Sequence, residues 1–530
     1  IYPCKGLTEK ENDELAVRLK EYKDSLSEEE KEQIALETMT LKAYQAEPDE
    51  PKILEMLPVL KVSDIDKNAE KVSYEEKDNR IFTKANTRGI AYTKIMFKAE
   101  GLSEDEIQFA ALLSDIFGEM DTGNLSYSDL YDEVLLNTGG LSFSFEQPAV
   151  RNEDKTKYDF VQYFAVDLRT LDSKLPDGLR LASEIINDTI LNDAERLTEL
   201  LYEIRSHLQS KLDTASHTAA ALRASSYISS SARFSDLTRG IAYYDFINAA
   251  CRLTKEPVHM KRFIKSLAAV HDLIFANDSI KYALYGSNAA DKSLGSCIPA
   301  FEEGLKKAAA VRREKNKAEG NAEVPGRMTA GRMLAPVSQI NEGLKSSSQV
   351  NYVARCGNFL EAGLEYTGAL RVLRVMLNYD YLWINLRVLG GAYGCMSAFG
   401  RTGRAYLVSY RDPEISKTNR IFEELPEYLD NWQGDEKTVN KFIIGAISAM
   451  DRPMTSADKA AQSVADCFFR TDNAELQKER DEVLSCTSET LRGMAEYIRA
   501  LLNCKALCTI GNETQIEKEG SIFKSIRDLY

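Results

Sequence analysis

One short segment of this chain occurs twice. Leu130-Tyr-Asp-Glu-Val-Leu-Leu-Asn-Thr-Gly-Gly-Leu-Ser-Phe143 can be laid without a gap on Tyr381-Leu-Trp-Ile-Asn-Leu-Arg-Val-Leu-Gly-Gly-Ala-Tyr-Gly394. In each copy a helical apolar periodicity runs into Gly-Gly and then into a strand-like stretch. Upstream, Gly89-Ile-Ala-Tyr-Thr matches Gln349-Val-Asn-Tyr-Val in type; downstream each copy continues with a strand and then a helix, about 175–190 and about 415–433. Like elements in the same order point to a duplicated α+β module. The chain must therefore build two similar cores, each an antiparallel-rich sheet with helices on one face. Its 530 residues, at roughly 150 per domain, leave room for both and for more.

What precedes the first copy reads as a helical hairpin over 1–75. Thr8 with Glu11, and Ser27 with Glu30, have capping-box spacing. Leu15, Leu19 and Tyr22, then Leu36, Met39 and Ala43, recur at helical intervals among many Glu and Lys, so each helix is expected to pack one face. Pro48, Pro51 and Pro58 break the pattern, and the polar stretch around 63–77 reads as a linker. The first module spans 76–320: a hairpin of Arg80–Lys84 with Gly89–Lys98, helices near 103–118 and 126–137, strands Leu141–Gln147 and Tyr158–Leu168, a helical block over 175–273, and a strand at Ser279–Leu284. Glycines and prolines between Glu314 and Pro336 mark its end, and the second module fills 321–530.

The chemistry is bounded by what the chain lacks. Acidic residues outnumber basic ones, 82 to 67, a net charge of −15 that disfavours nucleic acid or an anionic membrane as partner. Nine scattered cysteines suit free thiols in a reducing compartment, and without a membrane-length apolar run or an N-terminal leader the expected location is the cytoplasm or an organelle lumen. A start at Ile-Tyr-Pro-Cys suggests a fragment. The four histidines, His207, His217, His259 and His271, fall in neither H-E-x-x-H nor H-x-x-E-H, so no zinc-protease helix is present in the chain; Glu203 with His207 supplies two ligands where zinc needs three or four. Cys504 and Cys508, four apart on an expected helix, read as packed thiols. No Lys-Ser/Thr follows Gly390-Gly391-Ala392-Tyr393-Gly394, so it is no phosphate loop, and the basic run from Lys306 to Lys317 reads as a solvated helix face.

The remaining candidates are Arg387 and Tyr393. Each has a structural account: an Arg in a last helical turn favours the negative dipole end, Gly390 or Gly391 supplies the left-handed cap, and Tyr393 packs on a strand. The repeat tips the balance, because the first copy has Leu136 and Ser142 at these places and evidently folds without Arg or Tyr. The stretch Leu382 to Gly394, followed by Val408-Ser409-Tyr410-Arg411-Asp412-Pro413, resembles the carboxyl-terminal part of the presequence-protease subfamily of pitrilysin-like peptidases (family M16, subfamily C), and the 1–75 hairpin resembles their connector. The resemblance implies a zinc metalloendopeptidase that degrades unfolded peptides in a chamber closed by two halves of two modules each. Zinc belongs to the first module of such enzymes and H-x-x-E-H is missing from this chain, so the isolated chain is expected to bind no zinc and to be inactive, its partner being the zinc-bearing half on the same or another polypeptide. The resemblance also gives Arg387 and Tyr393 a role, contacting the substrate carbonyl as it gains negative charge. The alternative is a non-catalytic pitrilysin-like scaffold or binding subunit.

Overall fold

The computed structural model describes residues 6–47, 50, 52–53, 56, 60–99, 101–153, 155, 157–276, 279–318 and 341–530. Two compact units result, 1–65 and 66–530. In the first, α1 (Leu7–Ser25) and α2 (Glu28–Ala46) form as expected, and Ser27 and Glu30 make the reciprocal capping box. The start of α1 differs: Gly6 occupies the N-cap, which leaves Thr8 inside the helix. The apolar stripes also differ from expectation, since Leu15, Leu19, Tyr22, Leu36 and Met39 are 45–69% exposed. Two helices so rich in Glu and Lys do not bury these stripes among the described residues. The three prolines at 48, 51 and 58, and the expected boundary from 319 onward, lie outside the described residues.

Within 66–530 the first sheet comprises β1 (Glu75–Lys77), β2 (Arg80–Lys84), β3 (Ile90–Lys98), β4 (Gly140–Glu146), β7 (Tyr163–Leu171) and β8 (Ile280–Gly286), in the order β1-β2-β8-β3-β7-β4; β5 (Ala149–Arg151) and β6 (Tyr158–Phe160) form a separate ribbon. The second comprises β9 (Asn341–Ser346), β10 (Tyr352–Asn358), β11 (Gly394–Phe399), β12 (Arg404–Tyr410), β13 (Ala506–Asn512) and β14 (Ser525–Asp528), in the order β14-β9-β13-β10-β12-β11. Read in parallel, β2, β8, β3, β7 and β4 correspond to β9, β13, β10, β12 and β11. In both sheets the first pair is parallel and the next three are antiparallel. Tyr92 and Tyr352, matched in sequence, lie in corresponding strands. The duplication is thus present in the fold. The hairpin expected of 80–84 with 89–98 is absent, because β8 inserts between them, pairing Lys84 with Gly286 in parallel and Tyr92 with Tyr285 antiparallel.

The helices of the first module are α3 (Glu104–Ile116), α4 (Tyr127–Asn137), α5 (Leu175–Asp188), α6 (Ala194–Thr214), α7 (Ser216–Ser226), α8 (Ser230–Arg239), α9 (Ile241–Leu253), α10 (Pro257–Phe275) and α11 (Asn288–Ala318). Those of the second are α12 (Ala369–Met376), α13 (Ile415–Asp430), α14 (Glu436–Met450), α15 (Ser456–Phe468), α16 (Asn473–Leu484), α17 (Ser488–Gly493), α18 (Ala495–Asn503) and α19 (Glu513–Lys518). Cys504 caps α18 while Cys508 lies in β13, so the two cysteines do not share a helix. Each sheet carries its own helical layer on one face. The opposite face takes a single helix from the other module. α7, whose Ala220, Ala221 and Ala224 are small enough for close approach, packs on Ala354, Cys356 and Cys508 of the second sheet, and the Cys356 thiol donates to the Ala221 carbonyl at 3.2 Å. Reciprocally, α15 lays Val464, Cys467 and Phe468 on Ile81, Met96 and Ala283 of the first, and Phe468 stacks on Tyr163 at 5.6 Å.

A buried ionic group ties α7 down. Glu342 of β9 accepts from Arg223 Nε at 2.7 Å and from the Tyr227 hydroxyl at 2.7 Å, Arg223 also reaches Asp236 at 2.8 Å, and Arg527 bridges Glu342 to Asp245. Burial alone would raise the Glu342 pKa, but the Arg223 hydrogen bond and charge, with Tyr227 and Arg527, hold it below the ordinary carboxylate value. The stretch expected as a linker is likewise fastened: the amides of Ala69 and Val72 donate to Gln477 and Asn473, and Arg480 holds the Asp66 carbonyl.

Candidate functional site

Arg387 ends a helix that begins as α12 and widens into π-helical turns over Leu377–Tyr381 and Trp383–Val388, a departure from regular α-helix that recurs at functional sites. Leu389 is the C-cap, and its amide closes back on the Ile384 carbonyl at 2.9 Å. Gly391 then supplies the left-handed residue (φ +81°), the Gly391 amide donates to Arg387 O at 3.2 Å, and the Ala392 amide to Leu386 O at 2.9 Å. Gly390 serves a different need: a Cβ there would meet Leu386 O at 2.5 Å. The turn delivers Tyr393 to the start of β11, where its amide donates to Tyr410 O at 3.0 Å.

This geometry revises the comparison of the two copies. α4 is capped at Thr138 and the later helix at Leu389, so Leu136 does stand where Arg387 stands, two residues before the cap. The strands run to a different offset, because Gly140 opens β4 opposite Arg169 and Gly394 opens β11 opposite Tyr410. Between cap and strand the first module has Gly139 alone, whereas the second has Gly390, Gly391, Ala392 and Tyr393. Ser142, inside β4 and paired with Asp167, is not the counterpart of Tyr393. Tyr393 sits on an insertion that the first module lacks.

The two side chains meet. The Arg387 guanidinium carbon lies 4.2 Å from the Trp383 ring centroid and 5.2 Å from that of Tyr393. Cation–π contacts of this kind hold an Arg in place while leaving its N–H donors open, at about 0.5–1 kcal/mol each when half exposed. Among the described residues neither Arg387 nor the Tyr393 hydroxyl has a hydrogen-bonding or ionic partner, and Tyr393 is 62% exposed. Behind Arg387, burial pushes the Cys395 thiol up to about 11 against the pull of the Arg387 charge.

Sequence reasoning missed the surrounding groups. Tyr410 lies 5.9 Å from Tyr393 and 5.6 Å from Tyr352, and His217 of α7 meets Tyr410 edge-on at 4.9 Å. His217 Nδ1 is buried without a partner, and burial lowers the pKa of the ring. Arg411 lies 5.6 Å from the Tyr410 ring and 5.9 Å from that of Tyr393. The Tyr410-Arg411 dipeptide was visible; the approach of His217 from the other module was not. The other histidines are elsewhere: His207 on α6 and His259 on α10 are exposed, and His271 is buried and donates from Nε2 to Ile186 O at 2.7 Å. Among the described residues no three His, Cys, Asp or Glu side chains converge on a point that could hold a metal, so this chain's own residues do not fit a zinc ion.

Comparison with known proteins agrees with this picture. Residues 1–249 match the family described as Peptidase M16 (subfamily C) associated, and residues 341–507 match the PreP C-terminal domain. Protein HypA of Clostridium perfringens is 32% identical over 538 residues, spanning 100% of this chain and 52% of that protein. Presequence protease 1, chloroplastic/mitochondrial, of Arabidopsis thaliana is 25% identical over 485 residues, 91% of this chain and 43% of that one. The chain thus spans about half the length of the curated relatives it matches. A peptidase M16 inactive domain from Pseudomonas fluorescens superposes with a TM-score of 0.51 at 15% identity, covering 84% of this chain and 98% of its own, and a conserved protein from Enterococcus faecalis with 0.53 at 13%, covering 84% and 99%. These two likenesses concern the fold. With two family models in tandem, a relative aligned over the full chain and the duplicated sheet topology, the chain belongs to subfamily C of the M16 peptidases and corresponds to their carboxyl-terminal half.

Proposed function

We propose that this chain, as a connector (1–75) and two modules (76–320 and 321–530), forms the closing half of a zinc metalloendopeptidase that degrades unfolded peptides. The zinc is assigned to the partner half, since the residues here do not fit it, and no step below runs through the metal. The observation that carries the reading is the open pair: a guanidinium fixed on Trp383 with its donors unclaimed, beside an exposed phenol on an inserted turn. When the carbonyl of a bound peptide gains negative charge, the Tyr393 hydroxyl donates a hydrogen bond to it and Arg387 supplies a fixed positive charge, both already oriented. Because the pair would face a site on the other half, activity requires closure of the two halves. No helix among the described residues is long and apolar enough to cross a membrane.

The test is reconstitution with the zinc-bearing half and cleavage of a quenched fluorescent peptide. Tyr393→Phe removes only a hydroxyl that has no partner, and Arg387→Leu installs the residue found at the matching place in the first module, so both should fold. Loss of one such donor typically costs about 10²- to 10³-fold in rate. Near-unchanged kcat/KM in both folded variants would favour the binding-subunit reading instead.

A further inference from the structure

Arg411 has a backbone φ of +51°, a region costly for any residue with a Cβ. Its neighbours impose it. Asn351 and Asp412 exchange both backbone hydrogen bonds at 2.8 Å, Asn351 Nδ2 adds a third to Asp412 O at 3.0 Å, and the Asp412 carboxylate turns inward to accept from Thr418 Oγ1 and from the Glu414 amide at 2.9 Å. Asp412 is therefore 1% exposed, while Arg411 is extruded at the surface and folds back over Tyr410 and Tyr393. The Tyr352 hydroxyl takes one of its donors.

The consequence is that Arg387 and Arg411 both lie against the Tyr393 ring, at 5.2 and 5.9 Å from its centroid. Neither has an ion-pair partner among the described residues. The acids nearest in sequence are spoken for, Asp412 by the inward bonds above and Glu414 by Lys417 at 3.8 Å. In a chain of net charge −15, two like charges about one exposed ring repel each other, and holding them there gains the fold nothing. An anion placed between them is attracted by both.

We propose that Arg411, with the outer N–H groups of Arg387, is a clamp for a peptide carboxylate, either the C-terminal carboxylate or an Asp or Glu side chain close to the bond to be cleaved. Arg411 is then a specificity-determining residue. The proposal rests on the peptide-cleaving reading, yet its test reads binding by the chain alone. Three dye-labelled unstructured hexapeptides of Gly, Ala and Leu serve as probes in fluorescence anisotropy: a free acid, its C-terminal amide, and the amide with one internal Glu. Two half-exposed charge contacts should favour a carboxylate-bearing probe over the plain amide about five-fold. Preference for the free acid identifies the terminus as ligand, preference for the Glu amide identifies the side chain, and either supports the clamp. Arg411→Gln should abolish the preference. Arg411→Gly should abolish it too, and that variant relieves the backbone strain, so its fold is secure. Equal affinity for all three probes in the unaltered chain, or a preference that survives Arg411→Gly, overturns the proposal. Failure of the peptide-cleaving reading shows separately, as unchanged turnover in the Arg387 and Tyr393 variants.

Discussion

The turn between Arg387 and Tyr393 rests on two glycines whose replacement by alanine should fail for different reasons. At Gly391 a Cβ meets only Pro413 Cγ, at an ordinary 3.5 Å, so the cost of Gly391→Ala is conformational: φ is +81°, and an L-residue in that region costs about 1–2 kcal/mol. At Gly390 the cost is steric. A Cβ would stand 2.5 Å from Leu386 O and 2.7 Å from Asn385 O, and no rotamer change can relieve a clash with backbone. The turn must shift, which sacrifices the Ala392 amide bond to Leu386 O, worth about 1 kcal/mol, and adds residual strain. Each substitution should therefore lower the free energy of opening the turn by about 1–2 kcal/mol, a factor of about 5–30 in the open population. Hydrogen exchange followed by mass spectrometry reads this directly: peptides covering 386–394 should exchange faster by that factor, while β13, remote from the turn, should not change. Unaltered protection at 390–392 in Gly390→Ala, or equal acceleration in β13, would refute the claim that this turn is a local device setting the Arg387–Tyr393 geometry.

Two further outcomes follow from buried groups. Glu342→Ala leaves Arg223 and Arg527 short of a buried partner and should cost about 3–5 kcal/mol in denaturant titration; because the folded pKa of Glu342 is held below its unfolded value, its contribution is present above about pH 4.3 and lost as the pH falls through the folded value, so Glu342→Gln should flatten the acid limb of the stability profile, and an unchanged limb would count against the network. Among the thiols, burial pushes Cys356 up to about 12 and Cys508 well above its usual value, so iodoacetamide at pH 8 should label the half-buried Cys297 and Cys504 first; labelling of native Cys356 at the rate of Cys504 would contradict the packing of α7 on the second sheet.

Much of the architecture was legible because it is written in local patterns. The Ser27–Glu30 cap, the helices at 104–116 and 127–137 and the strands on either side of each Gly-Gly came from spacing alone. The errors are non-local. Nothing within 80–98 reveals that β8, nearly 200 residues later, will part β2 from β3. The ungapped match of the two copies was right for the helix and its cap but could not register the three-residue insertion, since Gly-Gly occurs in both turns and held the alignment in step past the point where the chains diverge. Of the site, Arg387 and Tyr393 were visible as a departure from the repeat. Arg411 was visible only as a neighbour in sequence, because its left-handed backbone arises from pairing of Asn351 with Asp412.

The exchange of α7 and α15 between the two sheets bears on how the molecule is made. A ribosome delivers α7 first, and the last strand it rests on, β13, emerges roughly 280 residues afterwards, which at about 5–20 residues per second is on the order of half a minute. During that interval the alanine face of α7 has no sheet to cover, and the first sheet has no α15 to cover it, so neither module can complete its core before the other is translated. Nascent chains of this type carry two matching adhesive surfaces through most of their synthesis. Their final step is a mutual docking, in which both cores close at once.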